Sequence, residues 1–378
     1  MSANPLDQIR GLRIAHLIES DGPGGAERMV ASLASELQVA GSQNVVIVPA
    51  KGEGWLAGEL ASTDVAIEAF SLDRPVSPTC ARGLQTLFRR HRIAVAHSHE
   101  FTMAVYGAYA SWRVGIGHLI TMHGSRYYAT RWRRRIALRA AVALSSRLVA
   151  VSTNLADALS RDLRIPRSRI ATIPNGVRSL AGERRRLREE LRLSPSDQLL
   201  LAVGNLYPVK GHQFLVEALA LLRDRYPRAH VAIAGRGDLA DLLLARAGEL
   251  GLSDRVHVLG LRSDIPNLLA AADVFVLPSL SEGLPLALLE AMFASRPIVA
   301  SDVGDVRSAL KDGQAGVLVR PGDSEELARA LDELLSNPDE ARRLGEEAAR
   351  RAARDYDVLG MAARYALIYR ALSGDTTG

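Results

Sequence analysis

Short apolar runs alternate with helix-length segments from one end of this 378-residue chain to the other, and that alternation leaves few folds open. A strand that is apolar on both faces needs cover on both, and intervening helices supply it when the strands run parallel. Runs at residues 12–18, 44–49, 65–70, 94–97, 118–122 and 147–151 predict six strands in the first half. The pattern restarts at 199–203, 230–234, 256–259, 274–277 and 297–300. Each half reads as a Rossmann-like α/β unit: a domain over 1–178, a charged linker with a short helix over 179–197, and a second domain over 198–355. A last segment, 356–372, carries its own apolar stripe and is expected to pack back on the first domain as a helix.

Composition narrows the function classes. No apolar run approaches the ~20 residues that span a bilayer, residues 1–10 lack an apolar signal core, and a single cysteine, Cys80, excludes an internal disulfide framework and a cysteine metal site. A cytoplasmic enzyme is the expectation. Charge is uneven: residues 1–178 carry 22 Lys+Arg against 13 Asp+Glu, residues 179–378 carry 25 against 29. The basic excess concentrates over 126–147, where Arg131, Arg133, Arg134 and Arg135 accompany Tyr127, Tyr128 and Trp132. Such a cluster suits an anionic membrane surface or a phosphorylated acceptor, the alternative being a solvated helix face. No nucleic-acid-binding module accompanies it.

Several residues stand out chemically. Glu290 is the one ionisable residue in the apolar run 284–294, and a carboxylate there needs a partner. Glu282 lies eight positions upstream, in a Gly-Pro turn that starts the same helix; read as helix, the separation is about 12 Å with the side chains about 80° apart. Gly24 and Gly25 sit at a strand-to-helix turn, where backbone N–H groups can approach an anion, although a plain turn reads equally from them. Lys210, one of three lysines in the chain, follows the first strand of the second half within Gly204 to Gly211 and is a candidate phosphate ligand. Gly235 repeats the strand-glycine-helix arrangement. His123 follows a strand at the carboxyl edge where doubly wound sheets bind ligands, with His97 and His99 on the preceding strand end. No Asp or Glu accompanies these histidines at ligand spacing, so no metal is expected.

Gly24-Gly25-Ala26-Glu27-Arg28, His123-Gly124, Pro174-Asn175-Gly176-Val177, the segment 204–211, and Ser281-Glu282-Gly283-Leu284-Pro285 with Glu290 occur in the order found in one family. The chain resembles the family 4 retaining glycosyltransferases over essentially its whole length. The resemblance implies a GT-B fold, two Rossmann-like domains facing each other across a donor-binding cleft. It also implies metal-independent transfer of a hexose from a nucleotide diphosphate sugar, UDP-linked by expectation, to a saccharide or polyprenol-linked acceptor in surface polysaccharide or glycoconjugate synthesis. By the same resemblance Glu290 would hold the ribose, while Glu282, Gly283, Leu284 and Pro285 would hold the donor sugar. Lys210 would neutralise the diphosphate, the Gly24–Gly25 loop would close over it, and His123 would face the transferred sugar; Asn205 and Gly235 complete the donor set. The protein would sit in the cytoplasm, peripherally at the inner face of the plasma membrane. Asn205 stands where the family usually has arginine, and Asp305, Arg307 and Ser308 replace the usual Gly, Pro and Glu. A nucleotide-sugar epimerase or hydrolase on the same fold, and a donor-binding pseudoenzyme subunit, remain the alternatives.

Overall fold

A computed structural model describes residues 4–72, 77–124, 126–129 and 131–374; the Arg126 side chain and residue 130, both within the basic stretch, lie outside the described set. The chain divides into two compact units: one runs to Val177 and resumes at Val358, the other is Arg178–Asp357.

The first unit contains strands β1 (Arg13–Leu17), β2 (Gln43–Pro49), β3 (Ala66–Phe70), β4 (Val95–His99), β5 (Gly117–Met122), β6 (Arg147–Ala150) and β7 (Ile170–Thr172). They form one parallel sheet in the order β3-β2-β1-β4-β5-β6-β7. The second contains β8 (Gln198–Val203), β9 (Ala229–Ala234), β10 (Val256–Gly260), β11 (Val274–Leu277), β12 (Ile298–Ser301) and β13 (Val317–Val319), also all parallel, in the order β10-β9-β8-β11-β12-β13. In each sheet the chain order reverses beside the first strand, between β1 and β4 and between β8 and β11. Such a reversal opens a crevice at the carboxyl ends of those strands.

The strands β7 and β13 were not among the sequence-based expectations. Each has three residues and lies at a sheet edge, too short for periodicity to register. The segment 179–197, expected to be a linker, belongs to the second unit. Its helix Arg184–Glu190 packs on the helix Ile265–Ala271, and the buried Arg188 donates to the carbonyls of Ala271 (3.2 Å), Ser194 (3.0 Å) and Asp197 (2.6 Å). Polar composition here marks a buried guanidinium satisfied by main chain and by the Asp273 carboxylate (3.3 Å), not a solvated tether.

The helix Val358–Leu372 belongs to the first unit. Met361, Tyr365 and Tyr369 from it are buried against Ile14, Leu33, Val95, Leu119 and Val149. At its end Leu372 comes so close to Gly117 that a Cβ there would lie 2.7 Å from the Leu372 carbonyl oxygen, which is why β5 begins with glycine. Among the described residues no helix is long and apolar enough to cross a membrane.

Candidate active site

In the second unit both strands beside the chain reversal are apolar and their polar groups begin where the strands stop. Leu199, Leu200, Leu201 and Ala202 of β8 are fully buried, and the chain then turns through Gly204 to a short 3-10 turn, Pro208–Lys210. Gly211 follows with φ +64°, and a Cβ there would lie 2.1 Å from the Pro278 carbonyl oxygen, so only glycine fits. After β11, Leu280 N–H donates to the Val209 carbonyl (2.8 Å) and ties the two strand-end loops together.

That tie brings Lys210 and Glu282 into contact. Lys210 Nζ donates to Glu282 Oε1 at 2.6 Å, and Ser279 Oγ donates to the same oxygen at 2.7 Å. The Glu282 side chain is only 9% exposed and Lys210 25%, so the pair is sheltered from solvent screening while the ammonium keeps a face outward. From the far side Gly304, at φ +56°, lies against the Glu282 and Gly283 carbonyls, and Asp305 N–H donates to Gly283 O at 3.0 Å. Gly235 is fitted closely too: a Cβ would lie 2.0 Å from Gly204 O. Leu206 N–H donates to Arg236 O at 2.8 Å, which places the half-buried Arg236 on the loop adjoining Asn205. Arg307 is bound to Asp302 by both Nε (3.0 Å) and a terminal nitrogen.

The helix that carries Glu290 is Leu286–Phe293, with Pro285 as its N-cap. Glu282 is therefore in the loop, and the helical separation drawn from the eight-residue spacing does not apply. Leu288, Leu289, Ala291 and Met292 are buried while Glu290 is half-buried and partnered, at the margin of the apolar face. Leu284 is buried, and Gly283 and Pro285 are half-buried between the two glutamates.

The first unit builds its strand ends differently. β4 is buried along its length although it reads Val-Ala-His-Ser-His. His97 Nδ1 pairs with the Tyr369 hydroxyl and Nε2 with Thr121 Oγ1, each at 2.7 Å, and Thr121 Oγ1 also meets the Tyr365 hydroxyl at 3.1 Å. The His97 and His99 ring centroids are 4.0 Å apart, and His99 Nδ1 lies 3.2 Å from His123 Nε2. Burial pushes His16 and His123 down to about 4, and holds His97 and His99 well below the usual histidine range. These rings are neutral at physiological pH. Among the described residues one group, His16, His97 and His99, brings potential ligand atoms within 4.8 Å of one another. Both nitrogens of His97 are already hydrogen-bonded, which disfavours a cation there.

Beside His123, Glu100 opens a helix with φ +65° and accepts the His123 N–H at 3.1 Å. Burial, then the neighbouring Glu19, pushes its carboxyl up to about 8. Gly24 is the N-cap of the helix Gly25–Val39, and a Cβ on it would lie 2.3 Å from Glu27 Oε2, so that helix start already holds a carboxylate. Gly25 has open space. In the basic stretch the side chains divide. Arg133 lies over exposed Trp132 at 5.4 Å, whereas Arg134 stacks on the Tyr127 ring at 3.6 Å and donates to its carbonyl at 2.7 Å. Arg131 precedes the helix Trp132–Leu144 as its N-cap, and Arg135 is half-buried.

Sequence reasoning did not single out Ser279, Gly304, Arg236, Glu100, Tyr365 or Tyr369. The glycine after β12 and the tyrosine pair four apart on an apolar stripe were the available signals.

Residues 23–179 match the family described as Glycosyltransferase Family 4, and residues 183–351 the one described as Glycosyl transferases group 1. Alpha-D-kanosaminyltransferase of Streptomyces kanamyceticus is 29% identical over 306 residues, 75% of this chain and 78% of that protein. UDP-Gal:alpha-D-GlcNAc-diphosphoundecaprenol alpha-1,3-galactosyltransferase of Escherichia coli is 29% identical over 66% of this chain and 68% of its own length. Among solved structures, Anabaena HepE in complex with UDP and glucose superposes with a TM-score of 0.83 at 24% identity, covering 96% of this chain and all of that one. With two parallel Rossmann-like sheets of the GT-B kind and both family segments in order, the chain belongs to glycosyltransferase family 4, whose members are retaining enzymes that use nucleotide sugars.

Proposed function

We propose that this protein transfers a hexose from UDP to a saccharide or polyprenol-linked acceptor in surface polysaccharide or glycoconjugate synthesis, at the cytoplasmic face of the membrane. The observation that carries the reading is the Lys210–Glu282 pair, a cation and a carboxylate locked together at 2.6 Å where β8 and β11 diverge. In the resting protein each neutralises the other. An incoming diphosphate competes for the ammonium, and donor-sugar hydroxyls take up the carboxylate, so the site exchanges one set of charge-assisted bonds for another without exposing a bare charge. As the sugar–phosphate bond breaks, negative charge grows on the leaving oxygen, and Lys210 stabilises it where no metal is required. The leaving phosphate itself takes the acceptor's proton, and attack on the same face retains configuration. Glu290 holds the ribose, Gly283, Leu284 and Pro285 shape the sugar pocket, and Arg236 supplements the cation that Asn205 does not provide. In the first unit, Gly24, Gly25 and neutral His123 are the residues assigned to donor recognition.

The UDP donor is supported by the ligand in HepE and the UDP-Gal in the name of the Escherichia coli relative; that relative's diphosphoundecaprenol supports a lipid-linked acceptor. Membrane attachment is supported by the helix Trp132–Leu144. Its first turn has no acid and three arginines, although cations at that end cost about 0.3–1 kcal/mol each, and it exposes Trp132 and Ile136 beside them. Arg131, Arg133 and Arg135 are assigned to the surface; Arg134 is committed to Tyr127.

The test is a panel of nucleotide sugars crossed with acceptors, each acceptor offered in solution and in anionic vesicles. Nucleoside diphosphate release that depends on acceptor, is unaffected by EDTA, and is highest with a UDP-sugar and a vesicle-borne acceptor is expected. Acceptor-independent conversion of donor would indicate an epimerase or hydrolase, and binding without turnover a pseudoenzyme; either overturns the proposal.

A further inference from the structure

The first sheet has a second populated end. Opposite the strand ends that carry His123, at the starts of β1 and β4, a cavity of about 510 Å³ opens, lined among others by Gln8, Arg10, Arg13, Arg92, Arg370 and Ser373. Its four arginines come from four separate places: the end of the 3-10 turn Pro5–Ile9, the first residue of β1, the turn after the helix Pro78–Arg90, and the last turn of the helix Val358–Leu372. The fold, and not a run of basic sequence, brings them to one cavity.

Their partners differ from those of several arginines elsewhere. Arg262 is held by Glu190 and Asp264, Arg307 by Asp302, and Arg343 by Glu340. At the cavity Arg13 Nε donates to the Gln43 amide oxygen at 3.0 Å, and Arg370 donates to the Gln8 amide oxygen. Amides fix a guanidinium in place and leave its charge uncompensated. Of the four, only Arg10 meets a carboxylate among the described residues, Asp7 at 3.5 Å, and both side chains are well exposed, where such a pair contributes little. Among the described residues no acidic residue lines the cavity. Four like charges around a concavity focus a positive potential into it.

The volume lies in the range of small-molecule sites. Guanidinium groups present planar forks that match phosphate oxygens two at a time. We propose that this cavity binds a small polyanion carrying two or more phosphate groups, at a site separate from the donor site. Because the ligand bridges the start of β1 to the last turn of the C-terminal helix, it stabilises the first unit by mass action.

The experiment is calorimetric titration of the full chain with inorganic pyrophosphate at physiological salt, with UDP present in saturating amount. The same titration of the Lys210→Ala variant makes the outcome independent of whether UDP occupies the donor site. One pyrophosphate per chain is expected in both. Arg92→Ser with Arg370→Ser, two exposed positions, should weaken it at least tenfold, and Arg92→Lys with Arg370→Lys, which keeps the charge and loses the fork, by a smaller factor. Vesicles containing phosphatidic acid that compete with pyrophosphate identify a lipid headgroup as the source of the phosphate; failure to compete identifies a soluble ligand. Absence of binding, or binding unchanged in the double serine variant whose fold is confirmed by circular dichroism, overturns the proposal and leaves the four arginines as solvated chain ends.

Discussion

The two chain reversals, β1 beside β4 and β8 beside β11, share a topology and solve opposite problems. At β4 polar side chains enter the sheet itself: His97, Ser98 and His99 are fully buried, with Tyr365 and Tyr369 against His97. At β8 and β11 the strands are apolar from Leu199 and Val274 to their ends and polarity waits in the loops, as Lys210, Ser279 and Glu282 on a frame of close-fitting glycines. One end is held neutral by burial, and the other preserves a charge pair. A low-dielectric interior tolerates imidazole and hydroxyl when they bond to each other, whereas an ammonium meant to meet a diphosphate must keep part of its surface open.

The largest effect that would break this contrast is at Lys210. Lys210→Ala should lower turnover about 10²–10³-fold with a smaller loss of donor affinity, since the charge it meets grows as the bond breaks. Steady-state kinetics with a direct measurement of donor binding decides it; near-normal turnover would move the leaving-group chemistry elsewhere. A second contrast concerns the loop frame. Gly235→Ala sets a Cβ 2.0 Å from Gly204 O, backbone against backbone, and should destabilise the second unit by about 2–4 kcal/mol in denaturant melts. Gly25→Ala meets open space and should stay within about 0.5 kcal/mol. Equal effects would mean that the first unit's turn is as tightly fitted as the second's.

Acid titration gives the smallest and most discriminating test. His16 and His123 titrate near 4 and His118 near 3 in the folded protein, against 6.5 unfolded. Between those values the unfolded chain binds more protons, so folding stability falls as pH drops below 6.5 toward 4. Glu100 runs the other way. Its folded value of about 8 lies above the ordinary 4.5, so its contribution is present below 4.5 and is lost as pH rises through 8. His212, His230 and His257 of the second unit are shifted down as well, but they are fewer than the five histidines lowered in the first. Hydrogen exchange resolved by unit should show the first unit opening more than the second on going from pH 7 to 5.

Eleven of the thirteen strands among the described residues were legible because each is long enough for its apolar run to be bounded by turn residues. The three-residue edge strands β7 and β13 were not, nor was the membership of 179–197 in the second unit. Charge along 179–197 looked like exposure, and nothing local announces that Arg188 turns inward to carbonyls. At the candidate site the residue types were readable and their geometry was not. Pro285 starts the helix after Glu282, which removes the helical relation between the glutamates. Lys210 meeting Glu282 depends on contacts 72 residues apart. Gly24 read either as part of an anion site or as a plain turn, and the sequence did not show that its missing Cβ makes room for Glu27. The four arginines looked like one face, and Arg134 left it for Tyr127 because a flat ring and a carbonyl were within reach.

The helix Val358–Leu372 also sets an order of assembly. Its tyrosines belong to the core under β1, β4, β5 and β6, yet the ribosome reaches them only after the whole second unit, Arg178–Asp357, has been made. At about 5–20 residues per second that interval is roughly 10–40 s. Throughout it Ile14, Val95, Leu119 and Val149 lack their final cover, and His97 lacks the Tyr369 hydroxyl. The second unit is continuous in the chain and can close its own core meanwhile. The domain begun first is thus the one finished last, and its half-covered sheet is the surface that a nascent-chain chaperone would have to shield.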